Sequence, residues 1–256
     1  ILDLSNKGNQ PMVSHNKRYI CVLNGEIYNY SDLKKELSKN NINWKSTSDT
    51  EVLLEGYCHW GKSLLEKIDG MYAFCIWDRK ENQLFGARDR IGEKPLYYHV
   101  GDKYFAFASR PTPIFKMLPN LSTEFDIQGL RLYLESGYFP FPYTFHKNIK
   151  KIPPAHYFTY DSNGLIINKY WSINDYYTNE NWNNRSEEDL LDELDELMLD
   201  SVTSRMISDV PVGAFLSGGI DSSLVVAMMK KHKNKAIKTF TIGFNEKDYD
   251  ESETSD

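Results

Sequence analysis

The chain has 256 residues, 41% of them hydrophobic and 26% charged, a globular composition at a length that admits one large or two ordinary domains. A net charge of −6 gives no electrostatic case for nucleic acid, which calls for a basic face. No apolar run approaches the ~18 residues of a membrane span and no signal peptide is seen, although the chain opens on Ile1 rather than Met, so a leader ahead of it stays open.

From Tyr19 to about Tyr170 the sequence is rich in aromatic, strand-like runs: "RYICVLNG", "GMYAFCIWD", "QLFGARD" and "KPLYYHVGDKYFAFAS". In "MYAFCIW" and "YFAFAS" large residues occupy both parities, as a strand covered on both faces requires. Lys80-Glu81-Asn82 and Gly101-Asp102 supply hairpin turns. Helices are expected over Ser31 to Lys39 and Asp49 to Trp60, the second with Val52, Leu53 and Tyr57 on one side. Antiparallel sheets with helices packed outside them follow.

Cys21, Cys58 and Cys75 make an odd count without C-x-x-C spacing, which favours a reduced, cytoplasmic setting and makes the sequon Asn120-Leu121-Ser122 a chance match. The six histidines show no metal-ligand spacing. Cys58 and His59 are neighbours on the expected helix and point in different directions, so they do not read as nucleophile and base.

Near Tyr170 the texture changes through "NDYYTNENWNNR", which reads as a linker or surface loop. Ser186 with Asp189 three residues on opens a helix by an approximate capping box, and Leu190, Leu191, Leu194, Leu197, Met198 and Val202 follow at helical spacing. A strand from Val212 to Leu216, a glycine loop, a helix from about Ser222 to Lys231 and a strand "IKTFTIGF" complete a βαβ unit, which implies a parallel sheet.

The glycine loop between that strand and helix directs free backbone N–H groups and the helix dipole at one spot, and Gly218 and Gly219 let a phosphate approach. Ser217, Ser222 and Ser223 can add hydroxyl donors. Gly213 and Gly218 have Walker spacing, but Gly219 and Ile220 stand where that motif needs Lys and Ser/Thr. The Rossmann pattern is not met either. A plain helix cap by Asp221 or Ser222 is the bland alternative.

"LSGGIDSS" resembles the PP-loop signature S-G-G-x-D-S of the ATP pyrophosphatases, which cleave ATP between its α and β phosphates. "NGEIYNYSDLKKEL", "STSDTEVLLEGY", "GMYAFCIWD" and "ARDRIGEKPLYY" resemble, in the same order, the class II glutamine amidotransferase domain of glutamine-hydrolysing asparagine synthetases. The resemblance implies an N-terminal-nucleophile-type αββα sandwich over residues 1–170, a linker over 171–185 and the start of a PP-loop parallel-sheet α/β domain over 186–256. It makes the chain an internal piece of a longer enzyme, inactive by itself.

By the same resemblance, the Asn24 amide and the Gly25 N–H form an oxyanion hole for the glutamine carboxamide, and Glu26 and Asp49 hold the substrate's ammonium. Read alone, Asn24-Gly25 is a hairpin signal and Asp49 an N-cap. Phe215, Leu216 and Ile242 are expected to line an adenine pocket, Ser217, Gly218, Gly219, Asp221 and Ser222 to bind the ATP phosphates, and Asp221 to help organise Mg²⁺. "ARDRIGEKPLYY" reads as structural, with Arg88 and Asp89 paired. The chain departs from the family in three ways. Its nucleophilic N-terminal Cys is absent, the synthetase domain breaks off at Asp256, and Arg110 stands where relatives usually carry Glu. The implied activity is hydrolysis of glutamine to ammonia, adenylation of aspartate by ATP, and amidation to asparagine with release of AMP and pyrophosphate. Partners are then glutamine, aspartate and ATP, without nucleic acid or membrane, in a homodimer. Another carboxylate acceptor, and a non-catalytic nucleotide-binding relative, stay open as alternatives.

Overall fold

The strands that carry apolar residues at both parities lie where two layers meet them, one on each face. The structure, a computed structural model, describes residues 2–102, 104–176, 185–232 and 236–243. It divides into two units, Ser5–Thr178 and a second made of Ile1–Leu4 with Asn179–Asp256.

In the larger unit β1 (Met12–Val13), β2 (Tyr19–Ile27), α1 (Tyr30–Ser38), α2 (Asp49–Trp60) and α3 (Leu64–Lys67) precede β3 (Gly70–Asp78) and β4 (Gln83–Arg88). Next come β5 (Tyr97–Val100), β6 (Phe105–Ala108), α4 (Pro111–Met117), α5 (Ile127–Ser136), β7 (Lys150–Lys151), β8 (His156–Asp161) and β9 (Gly164–Lys169). The expected turns join β3 to β4 and β5 to β6, and α2 has the expected bounds. A six-stranded antiparallel sheet runs β1-β2-β3-β4-β8-β9, and a three-stranded antiparallel sheet runs β6-β5-β7.

Leu33 and Leu37 of α1, Val52 to Leu54 of α2 and Leu64 and Leu65 of α3 cover one face of the larger sheet through Cys21, Ile27, Tyr72, Phe74 and Ile76. The opposite face packs Ala73, Cys75, Leu84 and Phe158 against Tyr98, Phe105 and Phe107 of the smaller sheet. Helix α4 packs on β5 and β6, completing the αββα layering. Phe74 and Cys75 are buried although they point to opposite faces, the reason for apolar side chains at both parities of β3.

Arg88 and Asp89 are structural, as expected, but they do not pair with each other. The Arg88 guanidinium donates to the carbonyls of Lys94 (2.6 Å), Ile152 (2.8 Å) and Gly92 (2.7 Å). The Asp89 carboxylate accepts the N–H groups of Gly92 (2.5 Å), Glu93 (2.8 Å), Lys94 (2.9 Å) and Tyr72 (3.3 Å). The reason is local: a tight turn after β4 leaves more unpaired backbone groups than a side-chain pair could satisfy. Asp89 N–H in turn donates to Tyr72 O at 2.8 Å, tying the turn to β3.

In the smaller unit α6 (Glu187–Ser204) starts with the expected capping box, Ser186 Oγ accepting from Asp189 N–H at 3.1 Å. Then come β10 (Gly213–Phe215), α7 (Ile220–His232) and β11 (Lys238–Phe240), with β10 and β11 parallel, as the βαβ reading requires. Helix α7 begins at Ile220, two residues before the expected start. Lys231 Nζ bonds Asp195 at 2.6 Å, linking α7 to α6. The apolar stripe of α6 is not a closed core: Leu191, Leu194 and Leu197 are exposed, and nothing among the described residues covers them. The linker expected at residues 171–185 and the final stretch lie partly outside the described residues, at 177–184 and 244–256.

Removing the Arg88 fork would strand the buried carbonyl of Ile152 and the half-buried carbonyls of Gly92 and Lys94. Arg88→Ala should lower stability by about 3 kcal/mol, read from urea unfolding followed by tryptophan emission. A loss below about 0.5 kcal/mol would show that water replaces the guanidinium and that the turn does not depend on it.

Candidate active site

Asn24 and Gly25 are not a hairpin turn. They lie inside β2, paired with Ala73 and Tyr72 of β3, because β2 continues its ladder with β3 as far as Ile27. Gly25 has φ 153°, and a Cβ there would sit 2.0 Å from Met71 O and 2.7 Å from Tyr72 Cα, so no other residue keeps this ladder closed.

The open edge of β2 sets out a row of donors. In an antiparallel ladder alternate residues turn their N–H to the same side. Leu23 N–H donates to Gln10 Oε1 (2.6 Å) and Ile27 N–H to Asp49 Oδ2 (2.9 Å). Gly25 lies between them with the same orientation, and no acceptor on that edge is found for it among the described residues. Asn24 has the opposite parity and points its side chain between the sheets, where Nδ2 donates to Ser109 Oγ at 3.1 Å. A cavity of about 190 Å³ opens there, with Asn24 and Ser109 as its hydrogen-bonding side chains among Leu23, Ala73, Leu96 and Phe107.

Asp49 is the first residue of α2, and Ser48 is the N-cap, its Oγ accepting from Thr50 N–H at 3.2 Å. Burial raises the Asp49 pKa; the N–H groups of Ile27 and Thr50 act against this, and the charge of Glu26 adds to it. The structure therefore brings Glu26 and Asp49 into electrostatic contact. Glu51, two residues on, behaves differently. Its burial also raises the pKa, but the Ser46 hydroxyl (2.6 Å), Lys45 N–H (2.9 Å), His15 Nε2 (2.8 Å) and Ser46 N–H (2.7 Å) outweigh it, and the net shift is downward. Glu51 is a satisfied structural acid; Asp49 is a buried carboxylate with no cationic partner among the described residues.

None of the cysteines offers a thiolate. Cys21 and Cys75 are buried in strands, and burial pushes both thiols far up; Cys58, on α2, is pushed up to about 12, chiefly by burial.

In the smaller unit the loop after β10 is tightly self-bonded. Leu216 N–H donates to Phe240 O (3.0 Å), and Ser217 N–H donates to Ser222 Oγ (3.3 Å), which itself donates to Gly219 O (3.1 Å). Gly218 has φ 77°, a left-handed conformation that a side chain disfavours, and the space beside Gly219 is open beyond Ser217 Oγ at 3.5 Å. The Ser222 hydroxyl shapes the loop from inside and is not a spare donor. Asp221, in the first turn of α7, is exposed, as are Phe215 and Ile242, so an adenine pocket is not closed around them by the described residues. These residues form no cluster of three or more His, Cys, Asp or Glu able to hold a metal.

Ser109 and Gln10 are the site residues that sequence reasoning misses. Each acts over a long separation, Ser109 on Asn24 across 85 positions and Gln10 on Leu23 across 13. No local pattern marks either contact.

Residues 1–171 match the family model of the glutamine amidotransferase domain, and residues 193–256 that of asparagine synthase. The chain is 38% identical to asparagine synthetase [glutamine-hydrolyzing] 1 of Bacillus subtilis, over 98% of this chain and 38% of that protein. It is also 38% identical to a putative asparagine synthetase [glutamine-hydrolyzing] 2 of Methanocaldococcus jannaschii, over 98% of this chain and 51% of that one. It thus spans between about two fifths and one half of these relatives. Among solved structures, the glutamine phosphoribosylpyrophosphate amidotransferase from B. subtilis aligns with TM-score 0.48 at 16% identity, covering 94% of this chain and 50% of that one. The chain belongs to the glutamine amidotransferase domain family, with a segment matching the asparagine synthase family after it.

Proposed function

We propose that the protein is a glutamine-dependent asparagine synthetase, with residues 1–170 as its glutaminase domain, 171–185 as a linker and 186–256 opening its ATP-using domain. The observation that carries the reading is the edge of β2. There Gly25 N–H, with no acceptor among the described residues, lies one alternation from Ile27 N–H, which donates to the buried Asp49 carboxylate, while the Asn24 amide bonds Ser109 between the sheets; no cation pairs with Asp49 among the described residues.

Acyl transfer from glutamine develops negative charge on the carboxamide oxygen, and preorganised donors stabilise it most where they need no reorganisation. Gly25 N–H is fixed by the ladder, and the Asn24 amide by its inter-sheet bond. The glutamine ammonium would supply a positive charge beside Asp49, whose carboxylate has no cationic partner among the described residues, with Glu26 adding negative charge nearby. The attacking thiol has to come from outside Cys21, Cys58 and Cys75. The ammonia released would attack an aspartyl adenylate, in which AMP is the better leaving group than the hydroxide of a free carboxylate.

The 217–223 loop would receive the ATP phosphates, with Phe215, Leu216 and Ile242 toward the base. Asp221 fits a Mg²⁺ ion that takes its other ligands from phosphate and water, and the ion would neutralise phosphate charge. The same reading gives a cytoplasmic homodimer working on small-molecule substrates.

Four outcomes test this. The purified 256-residue chain should release no glutamate from glutamine, since loss of a catalytic nucleophile costs roughly a millionfold in kcat. Glutaminase activity that vanishes on mutating Cys21, Cys58 or Cys75 would show the nucleophile to be misplaced.

In the full-length gene product Asp49→Asn should raise the glutamine KM about tenfold or more and spare synthesis from added ammonia. Because burial raises the folded Asp49 pKa, its ionised form is penalised above that pKa and relieved as pH falls through it. Acidification should therefore stabilise the wild-type fold relative to Asp49→Asn while raising its glutamine KM. Equal loss of glutamine- and ammonia-dependent activity would indicate a folding role.

Gly218→Val should abolish ATP binding measured by calorimetry on the full-length gene product, because a branched side chain opposes φ near 77° and occupies the phosphate's approach. Unchanged affinity would refute the PP-loop reading.

A further inference from the structure

Ser109 directly follows β6, in the smaller of the two sheets, whereas Asn24 lies in β2 of the larger one. Their side chains meet across the layer between the sheets at 3.1 Å, Asn24 Nδ2 donating to Ser109 Oγ. The surroundings are apolar: Leu23, Ala73, Leu96 and Phe107 line the same cavity. A primary amide carries two N–H groups and turns freely about its last torsion unless something holds it. The Ser109 hydroxyl is the one hydrogen-bond partner found for the Asn24 side chain among the described residues.

We propose that Ser109 is a positioning residue of the glutaminase reaction: by accepting one N–H of the Asn24 amide it fixes the plane of that amide, so that the second N–H is aimed at the oxyanion. The inference rests on the reading of Asn24 as an oxyanion-hole donor and adds to it the residue that orients the donor. Preorganisation is the physical point. A donor that must rotate into place as charge develops loses part of its stabilising effect, and the loss appears in the chemical step and not in substrate binding. Ser109 touches no reacting atom, so its effect has to pass through Asn24.

The test is a double-mutant cycle on the full-length gene product, with Asn24→Ala, Ser109→Ala and the two combined. Glutamate release from glutamine gives kcat and KM, and synthesis from added ammonia is the control. Ser109→Ala should lower kcat about tenfold, the worth of one hydrogen bond, with glutamine KM within about twofold and ammonia-dependent synthesis intact. Added to Asn24→Ala it should cost nothing further, and Ser109→Thr, which keeps the hydroxyl, should restore most of the rate. A similar loss in the Asn24→Ala background, or a loss shared with ammonia-dependent synthesis, would overturn the positioning role in favour of a structural one. A slow Asn24→Ala protein beside a Ser109→Ala protein at wild-type rate overturns this inference alone. An Asn24→Ala protein at wild-type rate removes the oxyanion-hole reading and this inference together.

Discussion

The close approach of β2 and β3 is the constraint on which the rest of the amidotransferase unit depends. At Gly25 a Cβ would fall 2.0 Å from Met71 O, and at Gly70 one would fall 2.2 Å from Glu26 O. Two glycines facing each other's strand let the ladder run unbroken to Ile27. Were the strands to separate before that point, Gly25 N–H would lose its direction and Asn24 would leave the inter-sheet layer. The turn after β4 reinforces the arrangement, since Asp89 exchanges hydrogen bonds with Tyr72, the residue directly opposite Gly25.

Electrostatics then separates two acids that the sequence makes look alike. Asp49 and Glu51 both sit in the first turn of α2, where the helix dipole favours negative charge. For Glu51 three residues supply four donors and the carboxylate stays ionised with ease. For Asp49 burial outweighs its donors and the nearby Glu26 adds repulsion. No cation pairs with Asp49 among the described residues to offset that cost.

The loop between β10 and α7 follows a different logic. Its shape is made almost wholly by short-range bonds among Ser217, Gly219 and Ser222, with one strand bond from Leu216 to Phe240. Such a loop is preformed by its own residues, so its shape depends little on what packs around it. The apolar side chains of α6 and the residues beside the loop, by contrast, are exposed among the described residues.

What the sequence determined by itself is what arises from neighbours along the chain. The bounds of α2, the capping box at Ser186 and Asp189, the hairpin turns and the strand–helix–strand order of the last segment are all set within a few residues, where side-chain spacing and backbone preference suffice. Only the tertiary structure decided that Asn24-Gly25, a turn signal locally, is strand interior, because 9 residues of ladder with β3 outweigh a two-residue propensity. It also decided that Arg88 and Asp89 serve backbone groups and not each other, and that Ser109 meets Asn24. Those contacts join residues brought together by sheet register and layer packing, and neither quantity is encoded in any short stretch of sequence.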